Sequence, residues 1–217
     1  MTARTDHPKA RAPATVGVCA FLLIVAIEHV ADPSLDPASH QISEYVHGQI
    51  GWLMTIGFVS WSISLAATAG LAGSSRSGRP VRAALIAASV GMLLTACFAT
   101  QTSAGRLPPG VTLSTAGRLH DIGSGVTSVA LLLAAVLAFR IKDVALRRLF
   151  RFTVTLLIVV LPAAGALLAL GSEVGGVRQR LLVLAGCAWQ LMFIWAIGRR
   201  REDEIPAAGQ LQALHKG

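Results

Sequence analysis

Charged residues make up only 14% of the 217-residue chain, where an ordinary soluble domain carries roughly a quarter. Aromatic side chains are also few, at 6%, with a single tyrosine. No basic patch is interleaved with aromatics, and no finger, helix-turn-helix or RNA-binding signature is present, which excludes a nucleic-acid partner. The three cysteines, Cys19, Cys97 and Cys187, form no CxxC and each lies inside an apolar run. They therefore read as small buried hydrophobes, and a disulfide framework in the outer loops is excluded. Alternating segments of about ten residues, the mark of a transmembrane barrel, are missing. No polar stretch is long enough to fold around a core of its own.

What the chain has instead is hydrophobicity, at 53% of residues, gathered into long runs between short charged clusters. Six runs stand out, at about 12–31, 49–71, 81–100, 120–139, 152–171 and 181–198. A helix rises 1.5 Å per residue, so each run can cross a hydrocarbon layer about 30 Å thick. The runs are apolar on nearly all sides, and in lipid such a segment satisfies its backbone only as a helix. The expected fold is all-α: a polytopic bundle of six transmembrane helices with short loops, between tails at 1–11 and 199–217. The first run follows basic residues as a secretory leader does. Cleavage after Ala31 would however put His29 where a small residue is wanted, so it reads as a retained anchor. Gly117, Gly123 and Gly125 would allow close helix approach, Pro162 would kink the fifth span, and the end after Arg199 reads as a mobile tail.

The basic residues orient this bundle. Of 19 Lys and Arg, all but Arg106, Arg118, Arg178 and Arg180 fall in the two tails and the loops near 72–82 and 140–151. Those four segments share one side of a six-span protein, and a positive side is the cytoplasmic side. This predicts an integral protein of a plasma or bacterial inner membrane with both termini cytoplasmic. It also accounts for the net charge of +8 as an attraction to the anionic inner leaflet.

Acidic residues and histidines collect on the opposite side. Glu28, His29 and Asp32 end helix one, Asp36, His40, Glu44 and His47 follow, and His120 and Asp121 begin helix four. A carboxylate near hydrocarbon must pair, take a proton or reach water. If residues 40–47 form a short interfacial helix, His40, Glu44 and His47 share a face, as do Glu28 and Asp32. Imidazole and carboxylate suit zinc or a similar divalent metal, with His47, His120 and Glu44 as ligands. Such a metal could activate water against a lipid ester or amide. The same groups also fit a hydrogen-bonded cap, or a proton relay through Glu28 and His120. Asp32-Pro33 and Asp36-Pro37 read as turns, Trp52 and Tyr45 as an outer aromatic belt, and Arg106 and Arg118 as ion-pair partners of Asp121 and Glu44.

The segment Pro37-Ala-Ser-His-Gln-Ile-Ser-Glu-Tyr-Val-His-Gly followed by Gly51-Trp52-Leu53-Met54 resembles the DUF998 family of membrane proteins. The family pattern is an Ile-Ser-Glu-Tyr-like stretch after helix one, matched by Ile42, Ser43, Glu44 and Tyr45, then a Gly-Trp start to helix two. Gly117-Arg118-Leu119-His120 is similar to its Gly-x-x-His opening of helix four. Where relatives carry a Phe-Pro-x-Asp-like segment after helix three, this chain has Phe98-Ala99-Thr100-Gln101, without the proline and the acid. The resemblance spans about residues 14–198 and implies a multi-pass membrane protein with no settled biochemical role.

The leading expectation is an outward-facing polar site that acts on or binds a lipid or small amphiphile. In it Glu44 and His120 would do the chemistry, and Glu28, Ser43, Arg118 and Asp121 would hold substrate. A small proton-coupled carrier, and a structural or regulatory protein without catalysis, are the alternatives. Membrane lipids are the expected surroundings in every case.

Overall fold

A computed structural model describes residues 8–73, 78–139, 151–153, 155, 159–160, 163–167 and 174–214. Five long helices dominate: α1 Pro8–Ala31, α2 Trp52–Ala72, α3 Gly78–Cys97, α4 Thr115–Ala138 and α5 Gly175–Leu214. A 3-10 helix, Ile42–His47, lies between α1 and α2. Within each long helix, an apolar segment of 20 to 24 residues is long enough to cross a bilayer. Half of the predicted fifth span at 152–171, including Pro162, and the whole basic segment at 140–150 lie outside the described residues.

Four helices start before their apolar runs, while α2 starts after its own, at Trp52 rather than 49. α1 starts at Pro8 rather than 12, α3 at Gly78 rather than 81, α4 at Thr115 rather than 120, and α5 at Gly175 rather than 181. Polar first turns are cheap where a helix leaves lipid, so a hydrophobic run underestimates its helix. At α4 the Ser114 hydroxyl accepts from the Gly117 N–H at 3.2 Å, an N-cap that begins the helix a turn before its apolar part. α3 stops at Cys97 rather than 100. Past Ile197 α5 stays helical through the charged segment expected as a tail. Arg, Glu and Ala there are good helix formers.

Consecutive helices pack side by side, α1 on α2, α2 on α3 and α3 on α4, and α5 rests against α1, α2 and α4 through a sparser contact. The tightest crossing joins α3 to α4. A Cβ at Gly91 would lie 2.7 Å from the Gly123 carbonyl oxygen, and one at Gly123 would lie 2.6 Å from the Gly91 carbonyl oxygen. Only two glycines let these backbones meet. A Cβ at Gly125, by contrast, would meet nothing within 4 Å among the described residues. Phe21 of α1 stacks on Trp61 of α2 at 4.5 Å between ring centroids.

α5 is tied in by one buried amide. Gln190 Oε1 accepts from the Trp61 indole N–H at 2.9 Å. Its Nε2 donates to Ser64 Oγ at 2.8 Å and Thr68 Oγ1 at 2.9 Å. Ser64 in turn donates to the Ala14 carbonyl of α1. Fully satisfied, such a network costs little in lipid and fixes the register of three helices. Val16, Leu23, Ile63, Val90 and Leu184 are exposed, as side chains facing lipid must be. Cys19 and Cys97 join them, so Cys187 alone keeps the buried position expected of all three.

Candidate functional site

The end of the bundle that carries residues 32–51 and 98–114 is roofed by polar side chains. Glu44 is its centre, and it is buried. Residues 103–106 form a tight hairpin turn, with paired Ser103 and Arg106 backbone bonds of 2.8 and 3.1 Å. Its two central residues, Ala104 and Gly105, have φ of 49° and 72°. Two successive left-handed residues turn their N–H groups to one side and make an anion nest. The Glu44 carboxylate fills it: Oε2 accepts from Ala104 N at 2.9 Å, and Oε1 from Gly105 N at 2.8 Å and Thr102 Oγ1 at 2.9 Å. No arginine pairs with it among the described residues, so the expected partnership with Arg106 or Arg118 is replaced by backbone. Arg118 and Asp121 are both exposed on α4.

Both candidate histidines address the same loop. His47 Nε2 lies 2.8 Å from the Thr100 carbonyl oxygen, and His120 Nδ1 lies 2.7 Å from that of Phe98. A carbonyl only accepts, so each of these ring nitrogens carries the proton and is lost as a metal ligand. On the 3-10 helix Glu44 and His47 share a face at a spacing of three, while His40 lies outside it and contacts Ser39 Oγ at 3.2 Å. Among the described residues no three His, Cys, Asp or Glu side chains are grouped to hold a metal. These atoms of Glu44, His47 and His120 clamp the α3–α4 loop, and each imidazole keeps its other ring nitrogen outside the clamp. Gln101 closes that loop by accepting from Ser114 N at 2.7 Å, in a segment where the expected acid and proline are absent.

A second cluster latches α5 to the roof. Arg180 donates from Nε to His29 Nε2 at 2.9 Å, from Nη1 to the His40 carbonyl at 2.6 Å and from Nη2 to Tyr45 Oη at 3.3 Å. His29 stacks on Tyr45 at 4.9 Å. Tyr45 is buried, which corrects its reading as a belt residue, whereas Trp52 is exposed as a belt residue should be. Burial pushes the Tyr45 phenol above the ordinary tyrosine range, with the Arg180 guanidinium acting against that rise. Asp36 is held below the usual carboxylate range by the Ala38 N–H, then by the Ser39 hydroxyl. A Cβ at Gly176 would come within 2.4 Å of the Pro37 and His40 carbonyl oxygens, so this contact too needs glycine.

Glu28 stands apart. It is fully buried in α1, and neither carboxylate oxygen has a hydrogen-bond partner among the described residues. The Met54 N–H lies beside it but is bonded to the Gly51 carbonyl at 3.1 Å. Asp32, one turn on, accepts from Ser34 Oγ at 2.5 Å.

Beneath the roof lies a cavity of about 300 Å³, the lower end of the range typical of small-molecule sites. α1 and α2 give it Phe21, Phe58 and Trp61; α3 gives Met92 and Thr95; α4 gives the face from Ser124 to Ala135; α5 gives Gln179 to Trp189. Thr153 and Val160 complete the wall. Most of its hydroxyls are already used: Thr95 donates to Gly91 O, Thr127 to Gly123 O and Ser128 to Ser124 O. The interior therefore presents mainly carbon. At the roofed end are Ser43 and Gln179. Gln179 Oε1 accepts from the Ile42 N–H at 2.5 Å, and its Nε2 has no partner among the described residues. Nor has the Ser43 hydroxyl, in a residue only 4% exposed. Of the site residues expected from sequence, Ser43 alone lines the cavity; Glu44, His120, Glu28, Arg118 and Asp121 do not. Gln179 was missed, because a polar residue six places after Glu173 reads as loop. Arg180 read as one more outer arginine.

Apolar helices of membrane-spanning length, bound to one another by small residues and one buried amide, define an all-α, multi-pass integral membrane protein. The profile of the family DUF998, described as "Protein of unknown function (DUF998)", matches residues 15–196, and the chain belongs to that family. No curated protein and no solved structure matches it.

Proposed function

We propose that this protein binds a lipid or small amphiphile in the cavity, with the apolar part among Phe21, Phe58, Trp61 and Met92 and a polar oxygen against Ser43 and Gln179. The observation that carries the reading is a carbon-walled space of about 300 Å³ with the Ser43 hydroxyl and the Gln179 amide N–H, both without a partner among the described residues, at its roofed end; the Ser124 hydroxyl and the buried Trp189 indole N–H are further unpaired groups of its lining. Amphiphile sites have this form: a mostly apolar lining and a few convergent polar groups that set orientation. The Ser43 hydroxyl can donate or accept, and the Gln179 amide can donate, so an ester, amide or hydroxyl oxygen is suited. Glu44 and His120 enter this reading as positioning residues of the roof, because the Glu44 carboxylate and His120 Nδ1 are engaged with the loop. The same reading takes 152–171 as a sixth span, both termini as cytoplasmic, the roof as outward-facing and the membrane as a plasma or bacterial inner membrane, on the charge alternation alone.

The test is purification of the full chain in mild detergent, with extraction and mass spectrometry of whatever amphiphile stays bound. Wild-type protein should carry a stoichiometric amphiphile. Ala135→Phe, which fills the cavity from α4, should carry little. Wild-type protein that is folded and empty would overturn the reading.

A further inference from the structure

We infer that the ligand is a bilayer lipid that enters sideways between α4 and α5, chain first, and not a water-soluble amphiphile admitted through the roof. This rests on the cavity reading above and adds the route and the class of ligand.

The roof is closed. Ile42 and Ser43 are buried, Gln179 is bonded to the Ile42 backbone at 2.5 Å, and Arg180 joins α5 to His29, Tyr45 and the His40 carbonyl. A solute coming from water would have to break this latch. The wall is different. Val129, Leu132 and Leu182 line the cavity and are 68%, 39% and 39% exposed, in contrast with the buried Ile42 and Ser43 of the roof. Val129 and Leu182 lie well inside the membrane-spanning stretches of α4 and α5, where the surroundings are hydrocarbon. α4 meets α5 at Leu131 and Gly186, where a Cβ on the glycine would lie 2.6 Å from a Leu131 methyl. A glycine there keeps the seam thin and carries no side chain of its own. Ser128, at the edge of the seam, points no free hydroxyl at a passing chain, because its Oγ donates to Ser124 O at 3.0 Å. An acyl chain thus meets mainly carbon along the path, with the Ser124 hydroxyl and the Trp189 indole N–H as isolated exceptions, and Ser43 and Gln179 lie together at the level where a glycerol ester or amide would lie.

Trp61 and Trp189 line the cavity and are buried, while Trp52 and Trp195 are exposed. In a Trp52→Phe, Trp195→Phe background, fluorescence therefore reports the cavity. The protein is reconstituted into vesicles of phosphatidylcholine with brominated acyl chains, then probed separately with aqueous acrylamide. Lateral entry predicts strong quenching by the brominated lipid and little by acrylamide. Ser128→Phe, which narrows the seam without stranding a polar partner, should cut the lipid quenching at least twofold. Quenching by acrylamide that exceeds quenching by brominated lipid would overturn lateral entry while leaving a bound amphiphile in the extraction experiment intact. Lipid quenching unchanged in Ser128→Phe, with a melting temperature equal to the parent, would overturn it as well, since the bromine would then act from outside. If neither quencher acts and the extracted protein is empty, the cavity reading falls together with this one.

Discussion

Glu44→Gln separates a structural carboxylate from a chemical one. The native carboxylate takes three donors, two of them backbone N–H groups of a turn whose central residues both have positive φ. Glutamine keeps the size but offers one oxygen and one NH2 group. In its better orientation the oxygen takes the Oε1 place and still accepts from Gly105 and Thr102. The NH2 then faces the Ala104 N–H, donor against donor. Hydrogen bonds to a charged acceptor are worth roughly 1.5–3 kcal/mol and neutral ones about 1 kcal/mol. One bond is lost and two lose their charge, so the loss is about 3 kcal/mol. For a chain of this length that corresponds to a fall of about 6–12 °C in melting temperature, on the scaling of about 2–4 °C per kcal/mol. Ala104 would also be released from a backbone conformation that costs a non-glycine residue about 1 kcal/mol, which opens the loop. Differential scanning fluorimetry in detergent reads the first effect, and the rate of tryptic cleavage after exposed Arg106 reads the second. Both should move together. A Glu44→Gln protein with wild-type melting and wild-type cleavage would refute the clamp, and Glu44 would again be open to a chemical role.

Gln190→Leu keeps the volume but removes three interhelical bonds and leaves the Trp61 N–H unpaired. It should cost about 2–4 kcal/mol, read as lowered resistance to denaturing detergent, and Gln190→Glu should not restore the wild-type value. Gly91→Val puts carbon into the Gly123 carbonyl and the Thr127 N–H; a loss of about 3 kcal/mol is expected from overpacking, where an equal substitution at open Gly125 should cost under about 1 kcal/mol. Tyr45 is the only tyrosine, so tyrosinate absorbance titrates it alone. Its raised pKa means that the folded state keeps the phenol proton after the unfolded chain has lost it near pH 10. Stability should therefore fall as pH rises past about 10, and a Tyr45 that ionises at the free-tyrosine pH in folded protein would contradict its burial.

The helices were legible because lipid imposes one demand, apolar side chains over a fixed length, that composition alone can meet. Their starts were not, because Ser114 and the turn Gly175-Gly176-Val177-Arg178 are polar or small and look like loop until a cap or a neighbouring carbonyl is seen. The polar cluster was legible as a cluster, since Glu44, His47 and His120 all face one loop. Its purpose was hidden for a definite reason. The partners are carbonyls at 98 and 100 and N–H groups at 104 and 105, and backbone groups leave no trace in residue identity. Ser43 was readable as a hydroxyl beside a buried acid. Gln190 was passed over, although a lone amide inside an apolar run is a flag for an intramembrane partner; which helices it joins depends on tertiary packing.

The Gln190 knot also bears on how the chain is made. Spans leave the ribosome in order, and α5 follows all the other described helices. Until it arrives, the Trp61 indole and the side chains of Ser64 and Thr68 have no amide to meet, and α5 itself enters lipid carrying an unpaired one. Its docking then completes this network, pulled by groups that earlier spans have held waiting. Chains ended before Gly175 should accumulate as substrates of membrane quality control, and a pulse-chase comparison of their half-life with that of the chain carrying α5 measures how much this helix completes.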